Sequence, residues 1–277
     1  MHVLIDGDVV LYLALWRNEK ATLESAINHY NDIIEDTKDA CFADTVEIFL
    51  SSDGENFRKN LYPVYKSNRK GKESPPFMSE LKAEVLRWDA SRGSPRGEAD
   101  DYLLIRAAEL DEQGKPWIIA TVDKDLKTYP GLFYNLRSHQ IDKVGERRAY
   151  TFLLQQFVMG DNVDGIKGLN GWGPVKTANI INPYHGLEEN FKKTKEVWLE
   201  NNKTYNTQAA YNETANLAFI RRNKNDLYPL DFWAMSGDDF RKTLRVPVSN
   251  YASSWRQGLH RPEKLSHKKQ PMALLYE

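Results

Sequence analysis

Three carboxylates stand within four positions in the stretch RGEADDYLLIRAAEL (96–110): Glu98, Asp100 and Asp101. Held that close, they repel one another and raise each other's pKa. A helix N-terminus favours acids by only about 0.3–1 kcal/mol each. An acidic first turn therefore explains part of the pattern, with Leu103, Leu104, Ala107, Ala108 and Leu110 as the apolar face of the helix that follows. More acids end short apolar runs. HVLI (2–5) leads to Asp6, VEIFLSS (46–52) to Asp53, and PWIIATV (116–122) to Asp123, with Asp125 two residues on. Asp161 and Asp164 lie three apart, bounded by glycines, in MGDNVDGIKG. If these side chains converge, divalent cations relieve their repulsion. Hard oxygen donors suit magnesium and manganese. Two such ions about 3.5–4 Å apart can stabilise both the attacking and the leaving oxygen of an in-line phosphoryl displacement.

Convergence follows from the elements that carry the acids. The apolar runs are rich in β-branched and aromatic residues, as expected of strands buried on both faces. Helical patterns fall between them, at about 10–16, 22–38, 77–89 and 100–112. Strands alternating with helices predict an α/β fold with a mostly parallel central sheet flanked by helices. Parallel strands bring their C-terminal ends to one edge, where open α/β sheets bind ligands. Asp6, Asp53, Asp123 and Asp125 belong at that edge, and the acidic turn at 98–101 opens onto it.

Composition narrows the classes. The 277 residues, 41% hydrophobic and 28% charged, describe an ordinary globular chain able to bury a sizeable core. A single cysteine, Cys41, excludes an internal disulfide and fits a reducing compartment. The opening MHVLIDGD lacks the basic and apolar regions of a secretory signal, and no uncharged apolar run approaches the roughly 20 residues of a membrane span. A cytoplasmic location is expected. Six scattered histidines argue against a His/Cys zinc site. Net charge is −1, but RKNLYPVYKSNRKGK (58–72) contains Arg58, Lys59, Lys66, Arg69, Lys70 and Lys72 and no acid. Such a segment, with Tyr62 and Tyr65 interleaved, is either a solvated loop or a grip on a phosphate backbone.

Five pieces, in order, resemble the 5′-nucleases or flap endonucleases, and most closely phage-type 5′→3′ exonucleases: LIDGD, SSDGENFRKNLYPVYKSNRK, GEADD, TVDKDLKT and MGDNVDGIKGLNGWGPVKTA. The resemblance spans roughly residues 1 to 185. It implies a metal-dependent 5′→3′ exonuclease with flap endonuclease activity, cutting DNA phosphodiesters near 5′ ends by a two-metal mechanism. It places Asp6, Asp53, Glu98, Asp100 and Asp101 around one metal site and Asp123, Asp125, Asp161 and Asp164 around another, with Asp101 and Asp161 acting through water. Asp8 departs from the small residue usual after the first Asp-Gly, and a helix N-cap is its expected role. The resemblance sets Tyr65, Lys66 and Arg69 at the base of a helical arch (about 60–95) as catalytic residues. There Lys66 and Arg69 stabilise charge on the scissile phosphate and Tyr65 stacks on a terminal base. Arg58 and Lys70 become phosphate contacts.

IKGLNGWGPVKTANII reads as a helix–loop–helix element, with Gly168, Gly171 and Gly173 in tight turns and Pro174 opening a helix. Backbone N–H groups there, with Lys176 and Thr177, would hold duplex phosphates. The resemblance adds a monovalent cation, K+, bound by backbone carbonyls. One extra residue separates this element from the common Gly-x-Gly-x-Lys-Thr-Ala pattern. The expected organisation is a nuclease core including the arch over 1–150, a duplex-binding region over 151–225, and a C-terminal extension over 226–277. Trp198, Phe232 and Trp233 are expected in the core. The implied cofactors are two or more Mg2+ ions, with Mn2+ able to substitute. The implied partners are DNA with 5′ ends, flaps or duplex–single-strand junctions, and RNA–DNA hybrids in primer removal; no membrane is involved and a monomer is expected. Two alternatives stand beside this reading. One is a non-catalytic DNA-binding relative; the other is a haloacid-dehalogenase-type phosphatase with Asp6 as a covalent nucleophile.

Overall fold

Strand β1 (His2–Asp6) lies at the middle of the sheet, hydrogen-bonded in parallel to β2 (Thr45–Leu50) and β4 (Trp117–Thr121). The computed structural model describes residues 1–245 except 17–21, 53, 55, 70, 72, 96, 204–205 and 227–228. Asp53, Lys70 and the basic tail therefore lie outside the described residues. The six-stranded order is β3-β2-β1-β4-β5-β6. Here β3 is Ser91–Gly93, β5 Gly131–Asn135 and β6 Ile141–Val144. β6 alone runs antiparallel, paired to β5. This is the α/β, mostly parallel sheet that the apolar runs predict.

Successive residues of β1 point to opposite faces, and both faces are covered. Val3 and Ile5 pack with α1 (Gly7–Leu15), α2 (Leu23–Ala40) and α4 (Met78–Val85), through Val10, Leu11, Tyr30, Ile34, Leu81 and Val85. Leu4 faces the larger core. That core is built from α5 (Ala99–Glu112), α6 (Glu146–Met159), α8 (Leu187–Asn201), α9 (Thr207–Ala218) and α10 (Gly237–Thr243). Trp198 and Phe232 are buried there and Trp233 packs against them, as expected of core residues.

Segment 60–95, the expected arch, contains short helices among its described residues. α3 (Phe57–Leu61) and a 3-10 turn at Ser67–Arg69 lead to the two-turn α4. Leu81 and Val85 of α4 are fully buried, which docks this leg on the core. The predicted helix–loop–helix is also modified. α6 leads into a short hairpin of β7 (Gly160–Asp161) and β8 (Ile166–Lys167), and only α7 (Pro174–Ala178) follows, with Pro174 in its first turn. A Cβ on Gly168 would lie 2.0–2.4 Å from backbone atoms of Met159 and Gly160. Gly168 thus permits a close backbone approach within the protein. Among the described residues no helix is long and apolar enough to cross a membrane.

Candidate active site and metal centre

The C-terminal edge of the sheet opens into a cleft of about 700 Å3 lined by Asp6, Asp8, Glu98, Asp100, Asp123, Asp125, Asp161 and Asp164, together with Lys66 and Arg69. Asp6 is buried; its Oδ1 caps α1 by accepting the Val9 N–H (3.1 Å) and its Oδ2 accepts the Thr121 hydroxyl (2.8 Å). Burial, with Asp8 beside it, pushes its carboxyl up to about 7. Burial also raises Asp100 well above the usual carboxylate range, and Asp6, Asp123 and Glu98 push it further. Across the cleft, burial and the neighbouring Asp123 and Asp161 raise Asp125 to about 7. Its Oδ1 accepts the Gln156 amide N–H (2.8 Å). Asp123 is raised too, chiefly by burial.

Glu98 goes the other way. Burial raises its carboxyl, but the Arg58 and Lys66 charges and the hydrogen bonds from Lys66 (2.6 Å) and Tyr65 (2.9 Å) outweigh burial and hold it at about 2. Lys66 also reaches Asp164 (3.4 Å), so one ammonium joins the two predicted carboxylate groups. Arg69 pairs with Asp164 as well. Lys66 sits at φ 54°, in the left-handed region, with its N–H on the Asp164 carbonyl (2.9 Å). Such backbone costs about 1–3 kcal/mol and persists where the surroundings over-determine it; here the Asp164 turn does so. Asp161 accepts the Val163 N–H (2.7 Å), which shapes that turn.

The oxygen-only donor set, buried and self-repelling, suits hard divalent cations. Among the described residues no three His, Cys, Asp or Glu side chains already stand together as a set that could hold a metal ion. Their oxygens are instead engaged by Lys66, Arg69, Thr121 and Gln156. The donor chemistry fits the ions, and the rotamers described satisfy the carboxylates internally.

Several predicted assignments need correction. Arg58 is 1% exposed and Asp101 0% exposed. They form a two-pronged ion pair at 2.8 and 2.8 Å, and Arg58 also donates to the Leu217 (3.1 Å) and Phe219 (3.0 Å) carbonyls. Arg58 therefore reaches no DNA phosphate, and Asp101 serves Arg58 and the Arg221 N–H (2.9 Å), not the cleft. Tyr65 is 4% exposed and supports Glu98 through its hydroxyl, so it offers no ring face to a base. Thr177 is fully buried at the inner side of α7 and reaches no phosphate. Lys176 remains on the surface, its ammonium 4.0 Å from the Trp172 ring centroid, and Gly171 and Gly173 are exposed. Thr121, Gln156 and Ser51, which hold the acids and their elements, were missed. The signal for two of them was a Ser or Thr two residues before a strand-end Asp, in LSSD and ATVD.

No family model matches the chain. An exonuclease of Escherichia phage T7 is 28% identical over 201 residues, covering 66% of this chain and 67% of that protein. A 5′-3′ exonuclease of Buchnera aphidicola subsp. Acyrthosiphon pisum is 27% identical over 256 residues, covering 83% and 88%. The solved structure of a bacteriophage T5 flap endonuclease with DNA and metal ions superimposes with a TM-score of 0.64 at 15% identity, over 88% of this chain and 96% of that one. That superposition shows a shared fold. Together with the sequence matches, it makes the chain similar to the 5′-nucleases, and among them to the phage exonucleases.

Proposed function

We propose that this chain hydrolyses DNA phosphodiesters near 5′ ends, as a 5′→3′ exonuclease and flap endonuclease dependent on divalent metal ions. The observation that carries the reading is Lys66, held across the cleft between Glu98 (2.6 Å) and Asp164 (3.4 Å) amid carboxylates raised by burial. Asp6, Asp100, Asp123, Asp125, Asp161 and Asp164 would hold two or more magnesium ions, or manganese in their place. Bound there, the ions supply Lewis acidity toward the attacking water and the scissile phosphate. Lys66 and Arg69, which line the same cleft, stabilise charge that develops on the phosphate oxygens. Glu98 keeps Lys66 aimed at that position. Thr121 and Gln156 fix the carboxylates of Asp6 and Asp125.

The products are a 5′-phosphate and a 3′-hydroxyl. Exposed Lys176, with Gly171 and Gly173, grips duplex phosphates beyond the cleft, and a potassium ion at the neighbouring carbonyls belongs to the same reading. RNA primers in hybrids, and a role in phage DNA replication or degradation, extend it. The phosphatase alternative leaves Glu98, Asp100 and the Lys66 ammonium in the same cleft without a role.

The test uses a 5′-labelled flap, a blunt duplex and p-nitrophenyl phosphate, with magnesium, manganese or chelator, and resolves products by length. Cleavage of both DNAs in either metal alone supports the reading. Activity that survives chelation, or turnover of the phosphatase substrate only, refutes it.

A further inference from the structure

Glu98 occupies the N-cap position of α5, in a capping box with Asp101, and also gives its carboxylate to Lys66 and Tyr65. A helix start carries N–H groups with no partner inside the helix, so another group must take them. Ser51, just past β2, does so: its Oγ accepts the Ala99 N–H at 2.8 Å. Asp8 fixes the residue that carries this hydroxyl: its carboxylate accepts the Ser51 N–H (3.1 and 3.2 Å). The expected N-cap role of Asp8 belongs instead to Asp6, which leaves Asp8 free to reach across to β2. Gly7 permits that approach: a Cβ there would lie 2.7 Å from the Phe49 carbonyl oxygen and 2.8–2.9 Å from the Ile48 and Leu50 side chains.

We propose that Asp8 and Ser51 are positioning residues for phosphodiester cleavage, a relay that takes the first N–H of α5 from outside and so sets Glu98 and Asp100 toward the cleft. The relay joins the three elements that carry the acids of one side: the first turn of α1 beside Asp6, the end of β2 and the start of α5. A helix start that drifts by about 1 Å can cost on the order of 10²-fold in rate. The relay acts through the elements it holds. Its loss therefore lowers turnover and spares DNA affinity.

This inference rests on the proposed nuclease function, and the experiment separates the two. Single-turnover cleavage and DNA binding in calcium are measured for the parent, Asp8→Ala, Ser51→Ala, the double variant and Ser51→Thr, well below their melting temperatures. A parent that cuts no 5′ flap refutes the function itself. With an active parent, each alanine variant should cleave about 10- to 100-fold more slowly, with flap affinity within about 2-fold. The double variant should be no slower than the worse single one, because both act through one contact. Ser51→Thr, which keeps the hydroxyl, should recover most of the rate. Unchanged rates, losses that multiply in the double variant, loss confined to affinity, or a Ser51→Thr as slow as Ser51→Ala would each overturn the relay.

Discussion

Replacing Arg58 by Met should damage stability and leave the electrostatics of DNA binding untouched. The guanidinium makes two bonds to Asp101 and one each to the Leu217 and Phe219 carbonyls, all with the side chain buried. Its removal strands a carboxylate at 0% exposure, held only by backbone N–H groups such as that of Arg221. Breaking one side of a buried ion pair costs about 3–5 kcal/mol, a large share of the roughly 5–15 kcal/mol that stabilises a typical protein. At roughly 2–4 °C per kcal/mol for a chain of this size, the melting point should fall by about 6–20 °C. Asp101→Leu should cost a similar amount. The two losses would sum to about 6–10 kcal/mol if independent, but the double variant Arg58→Met/Asp101→Leu leaves no stranded charge. It should lose at least about 2 kcal/mol less than the sum. Urea unfolding of the four proteins measures this. Meanwhile the dependence of log K on log salt for duplex binding should match the parent, since each phosphate contact contributes roughly −0.9 to that slope. A loss under about 1 kcal/mol for Arg58→Met, strictly additive losses, or a salt slope flatter by about 1 would show that Arg58 faces DNA after all.

Asp125→Ala should abolish cleavage in magnesium with DNA binding retained, and should raise the metal-free melting point, because burial and the neighbouring Asp123 and Asp161 penalise its charge; paired gel-shift, cleavage and melting measurements check it. Lys66→Ala should lower single-turnover rate by about 10²-fold or more and affinity far less; a loss in affinity alone would reassign Lys66 to backbone grip. Asp6 and Asp125 bind protons more tightly folded than unfolded, with folded values of about 7, so the metal-free protein should lose stability as pH rises from about 4 to 7. Metal competes with those protons, and the melting-point gain from magnesium should grow over the same interval. Lys176→Ala should flatten the salt slope of duplex binding by up to about 1 and spare cleavage of short single strands; equal loss on both substrates would misplace the duplex grip.

Much of this site is legible without coordinates because strand ends and carboxylates leave separate marks. β1, β2 and β4 fall where the apolar runs lie, and α1, α2, α4 and α5 lie within a few residues of the periodic patterns. A doubly buried strand must be almost continuously apolar, so the first polar residue marks its end. At β1 that residue is Asp6, and after β2 and β4 a Ser or Thr precedes the acid by two positions. β3, β5 and β6 leave weaker marks. The three residues of β3 are Ser, Arg and Gly, and Ile141 in β6 is an exposed apolar residue on an edge strand.

What composition and spacing hide is the partner of each charge. Asp100 and Asp101 are adjacent acids in one helical turn, about 100° apart around its axis. One lines the cleft and the other faces the interior. Nothing in ADD says which, because the difference is made by Arg58, 43 positions earlier. The basic segment is misleading for the same reason. Arg58, Lys66 and Arg69 resemble three surface cations on a phosphate path. Arg58 is consumed by Asp101 and two carbonyls, Lys66 is shared by Glu98 and Asp164, and only Arg69 keeps half its side chain exposed. Arginine suits the buried place because its planar fork meets a carboxylate and backbone oxygens together. Lysine suits the cleft because one compact ammonium can hold two carboxylates and still turn toward a third anion. The acids thus divide by the cation each meets. Where a fork is fully satisfied the carboxylate builds structure, and where an ammonium is shared the carboxylates keep oxygens for a cation and the ammonium keeps a proton for an anion.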